Sequence, residues 1–403
     1  MINYPQNLNF IFQKLHKHHI KPIIVGGFVR DSILNIDSKD IDIELYGISS
    51  LEDVEQILEE FGEVNSVGKS FGVCKLRFEN LEIDFSLPRT EKKISVGHQG
   101  FEVTTSADID FTTASRRRDF TINSMGYDIF EKKLLDPFNG MQDLQNKILE
   151  CVDNDTFIED PLRVLRAVQF SARFNFKLSD NLFKLCKMMI QKDMLNELSS
   201  ERVFEELKKL LFKAEKPSIG LKLLNALDSK EFFMEFTNLD AIDRLSKTHI
   251  KDDKSKLAIF LAILVYSQSY SHQQFFILKL SSEINLLKKI SSLLKNSFKD
   301  NMNNSELYRL AVNVNIEELL YLSSALYPKN KELYKNIKKR AVELNILNKK
   351  MTPLIQGRDL IKMGLKPSLQ FSKILQEVYD AQMDELFCNY TEALNYLEKK
   401  LSS

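Results

Sequence analysis

Hydrophobic and polar residues alternate along several short segments in the first 150 residues of the chain. Residues 22–25 (PIIV) form an apolar run that ends in two glycines, and residues 41–45 carry apolar side chains at every second position. Residues 73–78 and 81–87 alternate in the same way and are separated by a turn-like Glu-Asn pair. Alternation with a period of two is typical of β-strands that bury one face. The pattern therefore predicts an α/β head over residues 1–150.

The pattern changes near residue 155. Leu162, Leu165 and Val168 recur at helical spacing, and the same spacing continues through residues 170–185. Pro-containing breaks at residues 216–218 and 351–353 divide the remaining chain. We therefore predict four parts: the head (1–150), a helical neck (151–215), a helical body (216–350) and a helical tail (351–403). Within the head, residues 90–115 are polar and contain glycines, which predicts a long loop of the kind that is usually functional or mobile.

The composition is that of an ordinary globular protein. Of 403 residues, 43% are hydrophobic and 28% are charged, which excludes wholesale disorder. The longest apolar run, residues 257–266, is about half the length of a membrane-spanning helix and predicts a buried helix instead. Lys plus Arg equals Asp plus Glu at 56 each, so net charge indicates no particular partner.

The cysteine pattern and the N-terminus favour a cytoplasmic protein. The four cysteines are scattered and form no CxxC pair, which argues against both a disulfide framework and a zinc site. The N-terminal residues have no uninterrupted apolar core and no small-residue cleavage site, so no signal peptide is expected.

A glycine pair follows the first predicted strand. Gly26 and Gly27 would let the backbone approach an anionic group closely, and Arg30, four residues after Gly26, could hold phosphate oxygens. A helix beginning here would add unpaired N–H donors and a positive dipole end. Taken alone, a Gly-Gly pair is more often only a tight turn between a strand and a helix.

Three aspartates lie on two predicted strands. Asp40 and Asp42 are two residues apart, so their side chains leave the strand on the same face, and Asp84 lies on a second strand. Paired carboxylates are hard oxygen ligands that suit Mg²⁺ with a bound triphosphate. An isolated Asp-x-Asp is more often a solvated polar face. The combination with Gly-Gly at this spacing favours the metal site.

These motifs resemble a known family. The segments GGFVRD (26–31) and DIDIE (40–44) resemble the catalytic core of the DNA-polymerase-β-like nucleotidyltransferases. Further segments are similar to the class II tRNA nucleotidyltransferase (CCA-adding) and bacterial poly(A) polymerase family: RRDFTIN (117–123), LDPFNG with DL (135–140, 143–144), EDPLRVLR (159–166), SERVFEEL (200–207) and GRDL with VYDAQ (357–360, 378–382). The resemblance implies an α/β nucleotidyltransferase head followed by an all-α neck, body and tail.

The resemblance also implies roles for individual residues. Asp40 and Asp42 would hold the metal, and Asp84 would assist in activating a 3′-hydroxyl. The residues implied in nucleotide binding are Gly26, Gly27 and Arg30 for the triphosphate, Arg117, Arg118 and Asp119 for the ribose, and Arg166 for nucleotide or phosphate. Independently of the resemblance, the three arginines at residues 116–118 form a cationic cluster that can bind phosphates and ribose hydroxyls.

Asp160 and Arg163 are candidates for base selection. Three residues apart on a predicted helix, they would lie on one face and present an acceptor beside a donor array. That arrangement complements the Watson–Crick edges of cytosine and adenine but opposes those of uracil and guanine. An unaccompanied pair of this kind is more often a surface salt bridge. Here the surrounding motifs favour base selection.

Two departures from the family pattern stand out. Gln169 occupies the position where many relatives carry a third arginine after the EDPLR segment. Many bacterial relatives also carry a histidine–aspartate metal pair in the body, whereas this chain has Tyr266 and Ser267 in the best matching segment. Neither residue can replace such a pair, so we predict a metal-free helical scaffold there.

The resemblance implies template-independent addition of CCA to the 3′ end of tRNA from CTP and ATP, with Mg²⁺ as cofactor and pyrophosphate as the second product. The expected partners are tRNA, CTP and ATP, with no membrane. Poly(A) polymerase and enzymes that add only CC or only the terminal A carry the same motifs and remain alternatives. A non-catalytic RNA-binding relative is a further alternative, which the intact Asp40 and Asp42 pair disfavours.

Overall fold

A computed structural model describes residues 2–38, 40–65, 73–93 and 101–402. The chain forms two compact units, residues 1–235 and residues 236–403. This division differs from the boundaries expected at residues 150, 215 and 350, which stay predictions.

The first unit contains the strands and ten of the helices that the structure describes. Its strands are β1 (Lys21–Val25), β2 (Asp40–Tyr46), β3 (Glu63–Asn65), β4 (Val73–Phe78), β5 (Leu81–Ser86), β6 (Arg89–Lys93), β7 (Phe101–Thr105), β8 (Gly126–Asp128), β9 (Lys133–Leu135), β10 (Ile148–Leu149) and β11 (Lys177–Leu178). Its helices are α1 (Asn9–Lys17), α2 (Gly27–Ile33), α3 (Glu52–Glu59), α4 (Phe111–Ser115), α5 (Gly140–Asn146), α6 (Asn154–Glu159), α7 (Leu162–Phe174), α8 (Asp180–Gln191), α9 (Ser200–Lys213) and α10 (Ser218–Ala226).

A seven-stranded mixed sheet organises the head. Its strand order is β3-β4-β5-β2-β1-β8-β9. Strands β2 and β5 pair in parallel, and the other neighbours pair antiparallel. The strands predicted from alternation at residues 22–25, 41–45, 73–78 and 81–87 are all present. The predicted α/β head is confirmed.

The alternation along β2 divides the sheet into a core face and a polar face. Ile41, Ile43 and Leu45 are essentially inaccessible to solvent. The intervening residues Asp40, Asp42 and Glu44 therefore leave the strand on the opposite side. Ile83 and Phe85 on β5 are buried in the same way, so the apolar residues of both strands drive their formation and leave the acidic positions on one shared face.

The long polar stretch at residues 90–115 is only partly a loop. Residues 89–93 and 101–105 pair as the antiparallel ribbon β6-β7, and residues 111–115 form α4. Residues 94–100 lie outside the described part of the chain. The prediction of one continuous loop was wrong because strand pairing between two polar segments leaves little trace in hydrophobic periodicity.

The neck is helical, as the spacing predicts. Helix α7 buries Val164, Leu165 and Val168 and packs against α9 and α10. The predicted break at residues 216–218 lies between α9 and α10. The neck also contains a strand that the helical prediction did not include. This strand is β11, whose residues 177–178 pair in parallel with residues 148–149 of β10.

The secondary-structure elements described in the second unit are all helices. Its helices are α11 (Leu239–Ser246), α12 (Asp253–Val265), α13 (Tyr270–Leu280), α14 (Ile284–Lys295), α15 (Asn304–Asn313), α16 (Ile316–Leu326), α17 (Lys331–Glu343), α18 (Gly357–Lys362), α19 (Leu369–Met383) and α20 (Tyr390–Ser402). Residues 258–265 of α12 are fully buried, which confirms the buried helix predicted from the apolar run. No helix among the described residues is long and apolar enough to span a membrane.

Candidate active site

Three aspartates lie on the polar face of the sheet. Asp40 and Asp42 project from β2 on one side, and Asp84 lies directly opposite Asp42 in the parallel register with β5. Asp40 and Asp42 are exposed, and Asp84 is partly exposed. The structure thus brings together the three carboxylates that were proposed from sequence.

The surroundings raise the pKa of the Asp42 carboxyl. Protein packed around the carboxylate is the largest cause, because it removes water even though the residue reaches the surface. Arg118 opposes this effect, while repulsion from Asp84, Asp40 and Glu44 adds to it. A cation bound beside Asp42 would relieve the repulsion among these carboxylates.

Mg²⁺, the metal that the resemblance implies, fits this donor set. Carboxylate oxygens suit it, and it usually takes one or two of them and completes its shell with water and substrate phosphates. Within the described ranges no three or more His, Cys, Asp or Glu side chains converge into a metal site. The Asp84 carboxylate is bonded to Lys75 Nζ at 2.9 Å. Asp40 and Asp42 are therefore the carboxylates best placed to hold the ion.

The glycine turn lies beside these carboxylates. Gly26 has φ 72° and ψ −132°, a conformation that side-chain-bearing residues rarely adopt, and α2 begins at Gly27. A Cβ on Gly26 would lie 2.7 Å from Arg118 Nη1 and 3.8 Å from Asp42 Oδ2. The absence of a side chain at Gly26 therefore makes room for an arginine next to the acidic face of β2.

Arg30 is buried more deeply than the sequence suggested. Only 4% of the residue is exposed, and its guanidinium lies over the rings of Phe170 and Phe174 at 5.2 and 4.8 Å. It donates to Asp31 and to Asn123 Oδ1. Arg30 therefore ties the glycine turn to the neck, and only its remaining N–H groups could reach a phosphate.

Arg117 and Arg118 converge on a buried carboxylate that sequence analysis did not select. Glu44 is fully buried and accepts from Arg117 Nη2 at 3.0 Å and from Arg118 Nη2 at 2.8 Å. Its other oxygen accepts from the Tyr46 hydroxyl at 2.8 Å. A usable signal was present in the sequence, because Glu44 continues the i, i+2 spacing of Asp40 and Asp42.

Asp119 is a buried anchor. It accepts from Arg166 through Nε at 2.7 Å and Nη2 at 2.6 Å, and from Asn123 Nδ2 at 2.9 Å. Burial alone would raise the pKa of Asp119, but Arg166 and these hydrogen bonds hold it below the usual value. The Asp119 carboxylate thus stays ionised and positions Arg166, whose side chain is one-third exposed.

Asp160 and Arg163 lie at the start of the neck but are not bonded to each other through their side chains. Asp160 accepts from Arg202 at 3.3 and 3.4 Å and from the backbone N–H of Leu162 at 3.1 Å. Arg163 donates to the carbonyl oxygens of Thr156 at 2.8 Å and Arg117 at 2.5 Å. Two of the five N–H groups of Arg163 are thereby occupied, and three remain for a ligand.

These groups surround one open cleft of about 560 Å³. The residues that line it are Gly26, Gly27, Arg30, Asp42, Arg89, Glu91, Arg117, Arg118, Asp119, Asn123, Asp160, Leu162, Arg163, Arg166, Phe170 and Arg202. A larger cleft of about 710 Å³ beside α7 and α10 has only lysines and one aspartate as charged lining residues. Size therefore does not single out the first cleft, but its arginines clustered beside the exposed Asp42 do.

The two departures from the family pattern also have definite places. Gln169 is buried in α7 with 3% of its surface exposed. Tyr266 and Ser267 follow the last residue of α12, where Tyr266 bonds the hydroxyl of Tyr327 at 2.8 Å and Ser267 accepts from Asn238. The absence of a metal in this region stays a prediction.

Comparison with protein families identifies the head. Residues 23–150 match the family described as the Poly A polymerase head domain. Residues 175–237, after the first neck helix, match the family described as a probable RNA- and SrmB-binding site of polymerase A. These matches confirm the family resemblance and the nucleotidyltransferase fold inferred from the motifs.

Curated relatives of the Poly A polymerase head extend the comparison over about half of the chain. A Multifunctional CCA protein of Haemophilus ducreyi is 32% identical over 255 residues, which are 62% of this chain and 60% of the relative. One from Aliivibrio salmonicida is 38% identical over 205 residues, 50% of this chain and 47% of the relative. The chain thus spans between 47% and 60% of the length of the curated relatives it matches.

Solved structures match the fold over almost the whole chain. A CCA-adding enzyme in an apo form has a TM-score of 0.76 at 20% identity, covering 99% of this chain and 97% of that one. A Thermotoga maritima CCA-adding enzyme complexed with tRNA has a TM-score of 0.70 at 21% identity, with the same coverage. The fold of a head followed by helical regions is therefore shared with these enzymes.

Proposed function

We propose that this chain adds CCA to the 3′ end of tRNA, using CTP and ATP and releasing pyrophosphate. The observation that carries the proposal is a cleft in which clustered arginines lie beside Asp42, with Asp40 next to Asp42 on the same exposed face of β2. Such a cleft suits a triphosphate and its metal, and the curated relatives are named for CCA addition. The cofactor in this proposal is Mg²⁺, and the location is the cytoplasm.

The transfer reaction needs charge neutralisation and alignment more than covalent chemistry from the protein. The 3′-hydroxyl oxygen attacks the α-phosphorus of the nucleotide, the bond to the β-phosphate oxygen breaks, and pyrophosphate leaves. Mg²⁺ held by Asp40 and Asp42 would neutralise the triphosphate and lower the cost of deprotonating the hydroxyl. Asp84, next to Asp42, is placed to accept the proton once its contact with Lys75 opens.

The arginines of the cleft are proposed to bind the ribose and the phosphates of the nucleotide. Arg117 and Arg118 project from one segment beside the glycine turn, where they can donate to the ribose and the phosphates. Arg166, held by Asp119, presents a further cation from the neck helix. Gly26 and Gly27 line the cleft at the same edge, and the contacts of Arg30 with Asp31 and Asn123 stabilise that edge.

Asp160 and Arg163 are the proposed base-selecting pair. The Asp160 carboxylate can accept from the exocyclic amino group of cytosine or adenine, and Arg163 can donate to cytosine N3 or adenine N1. Uracil and guanine present a carbonyl to the carboxylate and an N–H to the guanidinium. An unmet buried polar group costs about 1–3 kcal/mol, which is enough for strong discrimination. Arg202 and the two carbonyl oxygens keep the pair ordered in the absence of a base.

The proposal is tested with purified protein and three tRNAs that end in the discriminator base, in C and in CC. CTP and ATP are supplied separately with Mg²⁺. CCA addition predicts that CTP extends the first two tRNAs and ATP extends only the third. The Asp42→Asn variant serves as the inactive control. No extension of any tRNA by the wild-type protein would refute the proposal.

The same experiment distinguishes a second candidate, poly(A) polymerase activity, which the description of the matching head family favours. That activity would extend RNA ends with many AMP residues and would not need CTP. Extension by CTP alone or by a single AMP alone would instead indicate a CC-adding or an A-adding enzyme.

A further inference from the structure

Glu44 is a buried acid beneath the proposed nucleotide site. It lies two residues after Asp42 on the same face of β2, yet none of its surface is exposed, so it cannot contact a metal ion or nucleotide directly. Arg117 and Arg118 share its Oε1 atom, and the Tyr46 hydroxyl bonds its Oε2 atom. All four of these side chains belong to the first unit of the chain.

The environment keeps Glu44 negatively charged. Its carboxylate is fully buried and accepts hydrogen bonds from Arg117, Arg118 and the Tyr46 hydroxyl, which favour the charged form. A buried carboxylate with two guanidinium partners is costly to disrupt, because removing the charge leaves the arginines without a counter-ion. The cluster is therefore a fixed structural unit at neutral pH.

Arg118 has a second acidic neighbour. Its Nη1 atom lies 2.7 Å from the position that a Cβ on Gly26 would occupy, and Asp42 Oδ2 lies 3.8 Å from the same position. Because both atoms lie within 4 Å of the same point, an unrestrained Arg118 side chain can reach the Asp42 carboxylate.

We propose that Glu44 is a positioning residue that holds the guanidinium groups of Arg117 and Arg118 toward the nucleotide and keeps Arg118 off Asp42. The inference rests on the proposed function only in naming a nucleoside triphosphate as the ligand. Arg118 Nη1 is further restrained by the carbonyl oxygen of Asn123 at 3.2 Å. The Nε atoms of Arg117 and Arg118 are buried and have no hydrogen-bond partner in the described structure.

The charge of Glu44 can be removed with little change in shape. In a Glu44→Gln variant the amide oxygen can still accept from one arginine, and the amide nitrogen can donate to Tyr46 Oη. The negative charge that balances Arg117 and Arg118 is lost. We expect Arg118 then to pair with Asp42, which withdraws both a phosphate ligand and a metal ligand from the nucleotide.

The matched control is Glu318→Gln in the second unit. Glu318 is also a buried carboxylate, bonded to Lys289 Nζ at 2.8 Å and to the Ser255 hydroxyl at 2.5 Å. Dissociation constants of CTP and ATP are measured by isothermal titration calorimetry with Mg²⁺, and thermal unfolding is followed in parallel. We expect Glu44→Gln to raise both dissociation constants about tenfold and Glu318→Gln to leave them unchanged.

A double-mutant cycle separates positioning from general destabilisation. Arg118→Gln should weaken CTP binding strongly in the wild-type background and much less when Glu44→Gln is already present. The reason is that Arg118 in the Glu44→Gln protein has already lost its contact with the nucleotide. Additive losses would overturn the proposal, and so would unchanged affinity in the folded Glu44→Gln protein.

The binding experiments on Glu44 can be interpreted separately from the test of CCA addition. A wild-type protein that binds CTP and ATP but extends no tRNA would refute CCA addition, while the affinities of the variants would still decide the role of Glu44. A wild-type protein that binds neither nucleotide would overturn both.

Discussion

Replacing Gly26 with alanine tests the glycine turn at the centre of the candidate site. Two independent features of the structure oppose a side chain there. The backbone adopts φ 72° and ψ −132°, and a Cβ would lie 2.7 Å from Arg118 Nη1, well inside van der Waals contact. Gly27, the next residue, begins α2 and has no such restriction. A Cβ on Gly27 would lie 3.5 Å from its nearest neighbour, Arg30 Nη2, which is an ordinary van der Waals distance.

The expected cost follows from these two features. A non-glycine residue in a sparsely populated backbone region costs about 1–3 kcal/mol. Relieving the clash requires Arg118 to leave the Asn123 carbonyl oxygen and strains its contact with Glu44, which adds about 1 kcal/mol. The sum of about 3 kcal/mol corresponds to a decrease of roughly 6–12 °C in the unfolding temperature of a unit of this size.

The assay compares Gly26→Ala with Gly27→Ala by thermal and chemical unfolding, with CTP affinity measured on the folded proteins. We expect Gly26→Ala to lose stability and to bind CTP weakly, because Arg118 is displaced. Gly27→Ala should stay within about 0.5 kcal/mol of the wild-type stability, since alanine suits the first turn of a helix. Equal stability of the two variants would refute the argument from the backbone of Gly26.

Three further predictions address the metal, the base and an ion pair of the second unit. Asp42→Asn should abolish nucleotide incorporation while tRNA binding, measured by filter retention, stays near the wild-type level. Arg163→Ala should reduce the preference for CTP over UTP by roughly one to two powers of ten, and an unchanged ratio in an active variant would mean that the base is selected elsewhere. Asp384, bonded to Arg309 at 2.7 Å, has its pKa lowered to about 2, chiefly by that hydrogen bond. The ion pair therefore stabilises the folded protein above about pH 4, and this stabilisation is lost as the pH falls toward 2. Asp384→Asn should lower the unfolding temperature slightly at pH 7 and not at pH 2.

Local patterns in the sequence were sufficient for the strands and the neck. The alternation of Ile41, Ile43 and Leu45 with acidic residues predicted both β2 and the face on which the aspartates lie. Helical spacing around Leu165 predicted α7. These predictions succeed because burial of one face imposes a fixed period on the sequence, and a period is visible without knowledge of the partner.

Contacts between distant residues could not be predicted in this way. The sequence did not predict that Arg30 bonds Asn123, 93 residues further along the chain, or that its guanidinium lies over two phenylalanine rings. Glu44 received no role from its position, although it is the counter-ion of Arg118, 74 residues away. The β6-β7 ribbon formed where polarity suggested only a loop.

The amino-acid sequence by itself therefore determined four strands of the sheet, the helical neck and the identity of the clustered aspartates and arginines. Only the tertiary structure decided which arginines are held by which carboxylates, and so which of their N–H groups remain for a ligand. The physical reason is that a buried charge is stable only beside a specific partner. That partner is selected by the way the strands and helices pack, which no local pattern records.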